Sequence, residues 1–254
     1  MSIALKSGER LAMLKQGIEG VTGETYTDLT EAVNGLKDKQ FEAGQKAEYD
    51  AFWDEYQQNG QTNSYNGAFA GTRWTANTLN PKYDVKPYWA QQMFWSNYMI
   101  IDLAEHFARI GKKLDFSGAA SMSACFSYSK FTRLGEIDAS KSGATDYSLF
   151  NEMTNLVTLE KLIVAEHSIF NSWFVNCTSL EKLIVKGTIG KNGFNVQWSA
   201  KLTHESLMSI INALQDKSTD TSGTVWTVTL GAANIAKLTA EEQQIAHKKG
   251  WLLG

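Results

Sequence analysis

Two prolines, Pro81 and Pro87, and two cysteines, Cys125 and Cys177, are all that the 254 residues contain of either type. Two thiols are too few for a disulfide framework, and neither has metal-ligand partners nearby in the sequence. Excess charge of one sign is lacking too. A net charge of −3 and a pI near 5.9 give no electrostatic reason to expect nucleic acid or an anionic membrane as a partner. No apolar run approaches the ~20 residues that a helical membrane span needs. The first ten residues, Met1 to Arg10, show neither the apolar region nor the small-residue cleavage site of a secretion signal, so none is expected.

Motifs that carry chemistry are equally scarce. His106, His167, His204 and His247 are far apart, and neither His-x-x-x-His nor Cys-x-x-Cys spacing occurs. The run around Gly187, Gly190 and Lys191 lacks the four-residue gap and the following Ser or Thr of a phosphate loop. Asp50 and Asp54 share a helix face at i, i+4, which suits a solvated surface better than a glycosidase pair. No Gly-x-Ser-x-Gly elbow is present, and nothing recommends Cys125 or Cys177 as a nucleophile. We therefore expect no catalytic residue, no metal site and no cofactor.

What the chain does contain is a repeated hexapeptide. Leu159-Glu160-Lys161-Leu162-Ile163-Val164 returns unchanged as Leu180-Glu181-Lys182-Leu183-Ile184-Val185. The ladder Leu156, Leu159, Leu162, Val164 has an older copy in Phe131, Leu134, Ile137 and Ala139, and Leu114 to Ala119 echoes the stretch that begins at Ile137. Spacings of 21 to 25 residues lie within the range of leucine-rich repeats. Leu162 and Val164 point one way from a short strand and Ile163 the other. One such strand cannot bury its apolar side alone, whereas stacked strands build a continuous core. Cys177 falls on an inward position of this ladder and reads as a small buried hydrophobe.

Residues 1–60 read as helical. Leu11, Leu14 and Ile18 share a face in a first segment that Gly17 and Gly20 weaken and end. Thr27 caps a second segment with Leu29, Ala32, Val33 and Leu36, and Tyr49, Phe52, Trp53 and Tyr56 form a stripe over 45–58. Nine aromatics then fall between Tyr65 and Tyr98 among small amides and hydroxyls: Tyr65, Phe69, Trp74, Tyr83, Tyr88, Trp89, Phe94, Trp95 and Tyr98. Ala68-Phe69 and Met93-Phe94 could be anchors equivalent to Phe150 and Phe174. Aromatics in such company serve core packing or a surface that docks sugar or protein. Tyr88, Trp89 and Trp95 are the candidate binding residues. A short helix is expected over 102–110, followed by a strand at 114–116. Thr203 should cap a helix with Leu207, Ile210, Ile211 and Leu214, and a strand should run from Val225 to Leu230. Thr239 to Glu242 is a capping box opening a last helix, with a final strand at Trp251–Leu253.

The stretch Phe174-x-Asn-Cys177-Thr-Ser-Leu180, followed by x-x-Leu183-x-Val185, resembles the BspA-like subclass of leucine-rich repeats. Residues 47–60, the aromatic block, the repeats and the tail from Leu202 to Leu214 together resemble leucine-rich-repeat proteins of tailed bacteriophages and prophages of gut Gram-positive bacteria. The expected fold is thus α/β. It is a leucine-rich-repeat-like solenoid of short strands (61–200) between an N-terminal helical segment (1–60) and a helix–strand cap (201–254). The resemblance implies a tail-associated virion protein that attaches to a host-surface glycan or protein, or else a purely structural tail component or a bacterial surface adhesin. Other tail proteins are expected partners, and self-association is expected, with a trimer as the guess.

Overall fold

The computed structural model describes residues 7–30, 32–33, 64–72, 74–75, 78–81, 83–142 and 146–254. The chain divides into two compact units, Met1–Tyr56 and Gln57–Gly254.

In the first unit, helix α1 spans Ser7–Thr22. It runs through Gly17 and Gly20, contrary to expectation, and stops at Gly23, whose φ of 72° is the left-handed C′ conformation that ends helices. An internal glycine costs only ~1 kcal/mol and does not by itself end a helix. Ile18 is buried against Tyr26 and Ala32, with Leu29 and Val33 alongside. Leu11 and Leu14, expected on the same face, are exposed. Leu36, the helix expected over 45–58 with its aromatic stripe, and Asp50 and Asp54 lie outside the described residues.

The second unit is mixed α/β. Strands β1 (Arg133–Asp138), β2 (Thr158–Val164) and β3 (Lys182–Gly187) form a parallel sheet in that order. Leu134 pairs with Leu159 and Ile137 with Leu162, the 25-residue displacement read from the sequence. Between β2 and β3 the register differs from that reading. Leu159 pairs with Leu183 and Leu162 with Val185, with an irregularity between them, so the two hexapeptides pair out of register and their equivalent positions are not partners.

The cause lies upstream, in a second ladder. Segments 65–71, 90–96, 122–128, 146–152 and 170–176 stack on one another. Backbone N–H groups at alternate positions donate to carbonyls of the next segment at 2.7–3.0 Å: 65, 67, 69 and 71 to 89, 91, 93 and 95, and so on to 148, 150 and 152. Each segment centres on a phenylalanine: Phe69, Phe94, Phe126, Phe150 and Phe174. The last four stack with centroids 5.6, 5.6 and 5.2 Å apart and interplanar angles of 7°, 9° and 19°. Phe150 over Phe174 fixes a displacement of 24 residues, which brings Leu180 beneath Leu156 and Leu183 beneath Leu159. Because leucine recurs every third residue at 156, 159 and 162, a three-residue slip of the hexapeptide still buries leucine on leucine. The anchors expected at Phe69 and Phe94 stand in the same column as Phe150 and Phe174.

Two residues either side of each phenylalanine the backbone turns left-handed, with φ between 52° and 73°: Gly67 and Gly71, Gln92 and Ser96, Ala124 and Tyr128, Ser148 and Glu152, Ser172 and Asn176. Only the first segment uses glycine there. Turn carbonyls are also satisfied from the side: Asn97 Nδ2 donates to Phe69 O at 3.0 Å, and Cys177 Sγ to Phe150 O at 3.1 Å.

Helix α2 (Leu103–Arg109) falls within the expected span 102–110 and is capped by Asp102, whereas Leu114 makes a single parallel bridge to Val85 and no strand. Helix α3 (His204–Ala213) follows its Thr203 cap and covers the edge of β3. Ser206 Oγ and Ser209 Oγ accept from the Leu183 and Val185 N–H groups, each at 3.0 Å, where a further strand would otherwise pair. Parallel pairing nevertheless continues beyond residue 200. Ile189 bridges Leu214 and Asn195 bridges Thr229, and β4 (Trp226–Val228) pairs with β5 (Trp251–Leu253). Between these strands lie α4 (Ala232–Ile235) and α5 (Ala240–Lys248), the latter opened by the Thr239–Glu242 capping box. No helix of the described residues is long and apolar enough to cross a membrane.

Candidate functional site

The aromatic block divides by burial. Tyr65, Phe69, Trp74 and Phe94 are core, while Tyr83, Tyr88, Trp89, Trp95 and Tyr98 are exposed. The split follows from the stacked turns. The phenylalanine column faces inward, whereas Trp95, between Phe94 and the left-handed Ser96, is turned outward. Tyr88, Trp89 and Trp95 are 46%, 42% and 41% exposed, so none of the three is a core side chain. Tyr88 packs edge-on against Trp89 with centroids 5.1 Å apart. Trp95 meets Tyr128 of the next segment in the same manner at 6.1 Å. No described ring contact joins Trp89 to Trp95, so the three belong to two separate pairs, the second completed by Tyr128.

The same segments carry a depression of about 370 Å³ lined by Gln91, Gln92, Ser123, Ala124 and Tyr147. Beneath it Asp146, 1% exposed, accepts hydrogen bonds from Ser121 Oγ at 2.8 Å, Ser123 Oγ at 3.0 Å and the Met122 N–H at 2.7 Å. Three donors converge on one carboxylate, which offsets its burial without a cationic partner among the described residues. Gln91 Nε2 donates to Ser121 Oγ at 3.0 Å, so the surface amide is tied through Ser121 to that buried group. Tyr128 and Tyr147 were not singled out from the sequence. Their signal is position: each belongs to a segment centred on Phe126 or Phe150, which only the stacked register makes visible.

The sheet surface differs in kind. Arg133 pairs with Asp102 at 3.4 Å and with Glu160, and Lys161 pairs with Glu136. The five stacked segments carry only two charged residues, Asp146 and Glu152. The first is buried, and the second accepts from Asn176 Nδ2 at 2.6 Å. A second hollow, about 410 Å³ between β3 and α3, is lined by Lys186, Glu205, Met208 and Ser209 among others.

Elsewhere several titratable groups have structural partners. His106 is buried with Nε2 2.6 Å from Leu79 O, and burial holds its pKa below the ordinary histidine value, so the neutral ring donates from Nε2. Burial pushes the Cys177 thiol up to about 12 and the Cys125 thiol well above its usual range. His204 Nε2 contacts Glu242 Oε1 at 2.8 Å on the surface. No cluster of three or more His, Cys, Asp or Glu side chains suited to a metal ion occurs among the described residues. Compared with protein-family models, curated proteins and solved structures, the chain matches none of them.

Proposed function

We propose that residues 64–254 form a leucine-rich-repeat-like solenoid that acts as a non-enzymatic recognition module. Its binding surface is the outer side of the stacked turns. One observation carries this reading: Tyr88, Trp89, Trp95, Tyr128 and Tyr147, all more than 40% exposed, gather on a part of the surface almost free of charge. Large rigid rings left in water cost stability and return it only on contact with a partner, and Trp and Tyr are the side chains that most often anchor such contacts. The sheet surface, whose charges already neutralise one another, offers less to a ligand. The sequence resemblance supplies the setting, a tail-associated virion protein that attaches to the bacterial host surface.

A second reading rests on α1, where Leu11, Met13, Leu14 and Val21 are 53–77% exposed. That is apolar surface suited to self-association or to another tail protein. The two readings are compatible, with assembly through the first unit and recognition through the second. Binding of fluorescently labelled full-length chain to intact Gram-positive gut bacteria tests the first. Alanine at Trp89 or Trp95 should reduce binding by about tenfold or more with an unchanged melting temperature. Undiminished binding by the double variant would remove the turn surface from recognition.

A further inference from the structure

We infer that the depression lined by Gln91, Gln92, Ser123, Ala124 and Tyr147 is a subsite for an uncharged oligosaccharide. The inference rests on the recognition reading above and names its ligand class. None of the five described residues lining the depression is charged. What they offer is two carboxamides, a serine hydroxyl, a tyrosine ring and a methyl group. Amides and hydroxyls pair with sugar hydroxyls as both donor and acceptor, and aromatic faces lie against the C–H face of a pyranose. Its volume of about 370 Å³ lies near the lower end of the ~300–1,000 Å³ typical of small-molecule sites, too small to enclose a folded partner.

The donors and acceptors are preset. Asp146 holds the hydroxyl hydrogens of Ser121 and Ser123; Ser123 Oγ also accepts from the Tyr147 N–H at 3.4 Å, while Ser121 Oγ keeps its lone pairs as acceptors. Ser121 uses one of them to hold Gln91 Nε2, so Gln91 Oε1 is left to accept from a ligand hydroxyl. Gln92 and the Tyr147 hydroxyl have no protein partner among the described residues and are solvated until a ligand arrives. Gln92 stands at a left-handed position, φ 53°, and Tyr147 directly precedes another, Ser148. Both side chains are thus fixed to a hydrogen-bonded turn and not to a loose loop. In this scheme Ser121 is a positioning residue, whereas Gln91, Gln92 and Tyr147 touch the sugar. The Trp95–Tyr128 pair, a few residues further along the same two segments, gives an adjoining stacking platform.

A charged sugar fits poorly. An anionic ring would meet no cation among the described lining residues, and the buried Asp146 carboxylate, hydrogen-bonded to Ser123, would repel it.

The test is a titration of full-length protein, by calorimetry and tryptophan fluorescence, with soluble oligosaccharides of glucose, galactose and N-acetylglucosamine, set against sialylated and sulfated counterparts. At least one neutral oligosaccharide should bind saturably and the anionic ones at least tenfold more weakly. Gln92→Ala and Tyr147→Ala should each weaken binding about tenfold with the melting temperature unchanged, since both side chains are exposed. Ser121→Ala should weaken it severalfold, and Gln91→Ala on top of Ser121→Ala should add little, a non-additivity that a merely structural serine would not show. Absence of binding across the neutral panel, or tighter binding of an anionic sugar, overturns the inference. Cell binding that persists while no neutral sugar binds would leave the recognition reading standing with another ligand. Sugar binding without any cell binding would leave the subsite standing and remove host attachment.

Discussion

Replacing Ser206 by alanine removes the hydroxyl that accepts from a buried β3 amide. Ser206 and Leu183 are both fully buried, and the Leu183 N–H points at Ser206 Oγ at 3.0 Å. An orphaned buried N–H costs ~1–3 kcal/mol, and alanine's better helix propensity returns at most ~0.5 kcal/mol, so a net loss of about 1–2 kcal/mol is expected. Ser209 does the same for the Val185 N–H at 3.0 Å, but it lines the open hollow between β3 and α3. Water can replace its hydroxyl there, and Ser209→Ala should stay within about 0.5 kcal/mol of wild type. Denaturant titration gives the ranking, and hydrogen exchange locates it. The Leu183 amide should lose protection in Ser206→Ala, and the Val185 amide should change less in Ser209→Ala. Equal costs, or a costlier Ser209 variant, would refute the argument that helix hydroxyls terminate the sheet and that burial decides their weight.

Leu162→Asp and Leu183→Asp should each cost several kcal/mol by burying an unpaired charge, whereas Glu181→Ala, on the exposed side, should stay within about 0.5 kcal/mol in denaturant unfolding. His106 should make stability depend on pH. Its folded pKa is held below 6.5, so the unfolded chain binds the proton first, and stability present above pH 6.5 is lost as pH falls from there towards the folded value. In melting curves across that window, His106→Gln, which keeps a donor for Leu79 O, should flatten the slope. If α1 mediates assembly, light scattering should show self-association of full-length protein that is lost in a chain starting at Gln40. A monomer at high concentration would remove the self-association half of that reading.

The parts of the fold legible in the sequence are those governed by local rules. Asp102, Thr203 and Thr239 are side-chain caps, and each begins a helix within a residue of the expected place. The β1–β2 displacement of 25 was legible because Leu134, Ile137 and Ala139 repeat the apolar spacing of Leu159, Leu162 and Val164. The β2–β3 register was not, because the hexapeptide identity points to a displacement of 21 residues, whereas Phe150 stacked on Phe174 sets 24. Nor were the left-handed positions at Gln92, Ala124 and Tyr128, since none carries glycine. The four-residue α4 is too short to leave a periodic pattern. At the candidate site, Tyr88, Trp89 and Trp95 stood out because rings in a polar stretch are conspicuous. Tyr128 and Tyr147 reach the same surface only through stacking of segments 24 to 32 residues apart, a relation that neither strand nor helix periodicity encodes.

Neighbouring residues of one segment provide the most direct test of the central claim. Phe94 is fully buried in the aromatic column, while Trp95, the next residue, is 41% exposed against Tyr128. Measured side by side in a melting curve and a cell-binding titration, Phe94→Ala should lose ~3–5 kcal/mol of folding stability. Trp95→Ala should lose ~2 kcal/mol or more of binding with its melting temperature unchanged. A Trp95→Ala protein that melts early and loses binding in proportion would make Trp95 a core residue and contradict the recognition face.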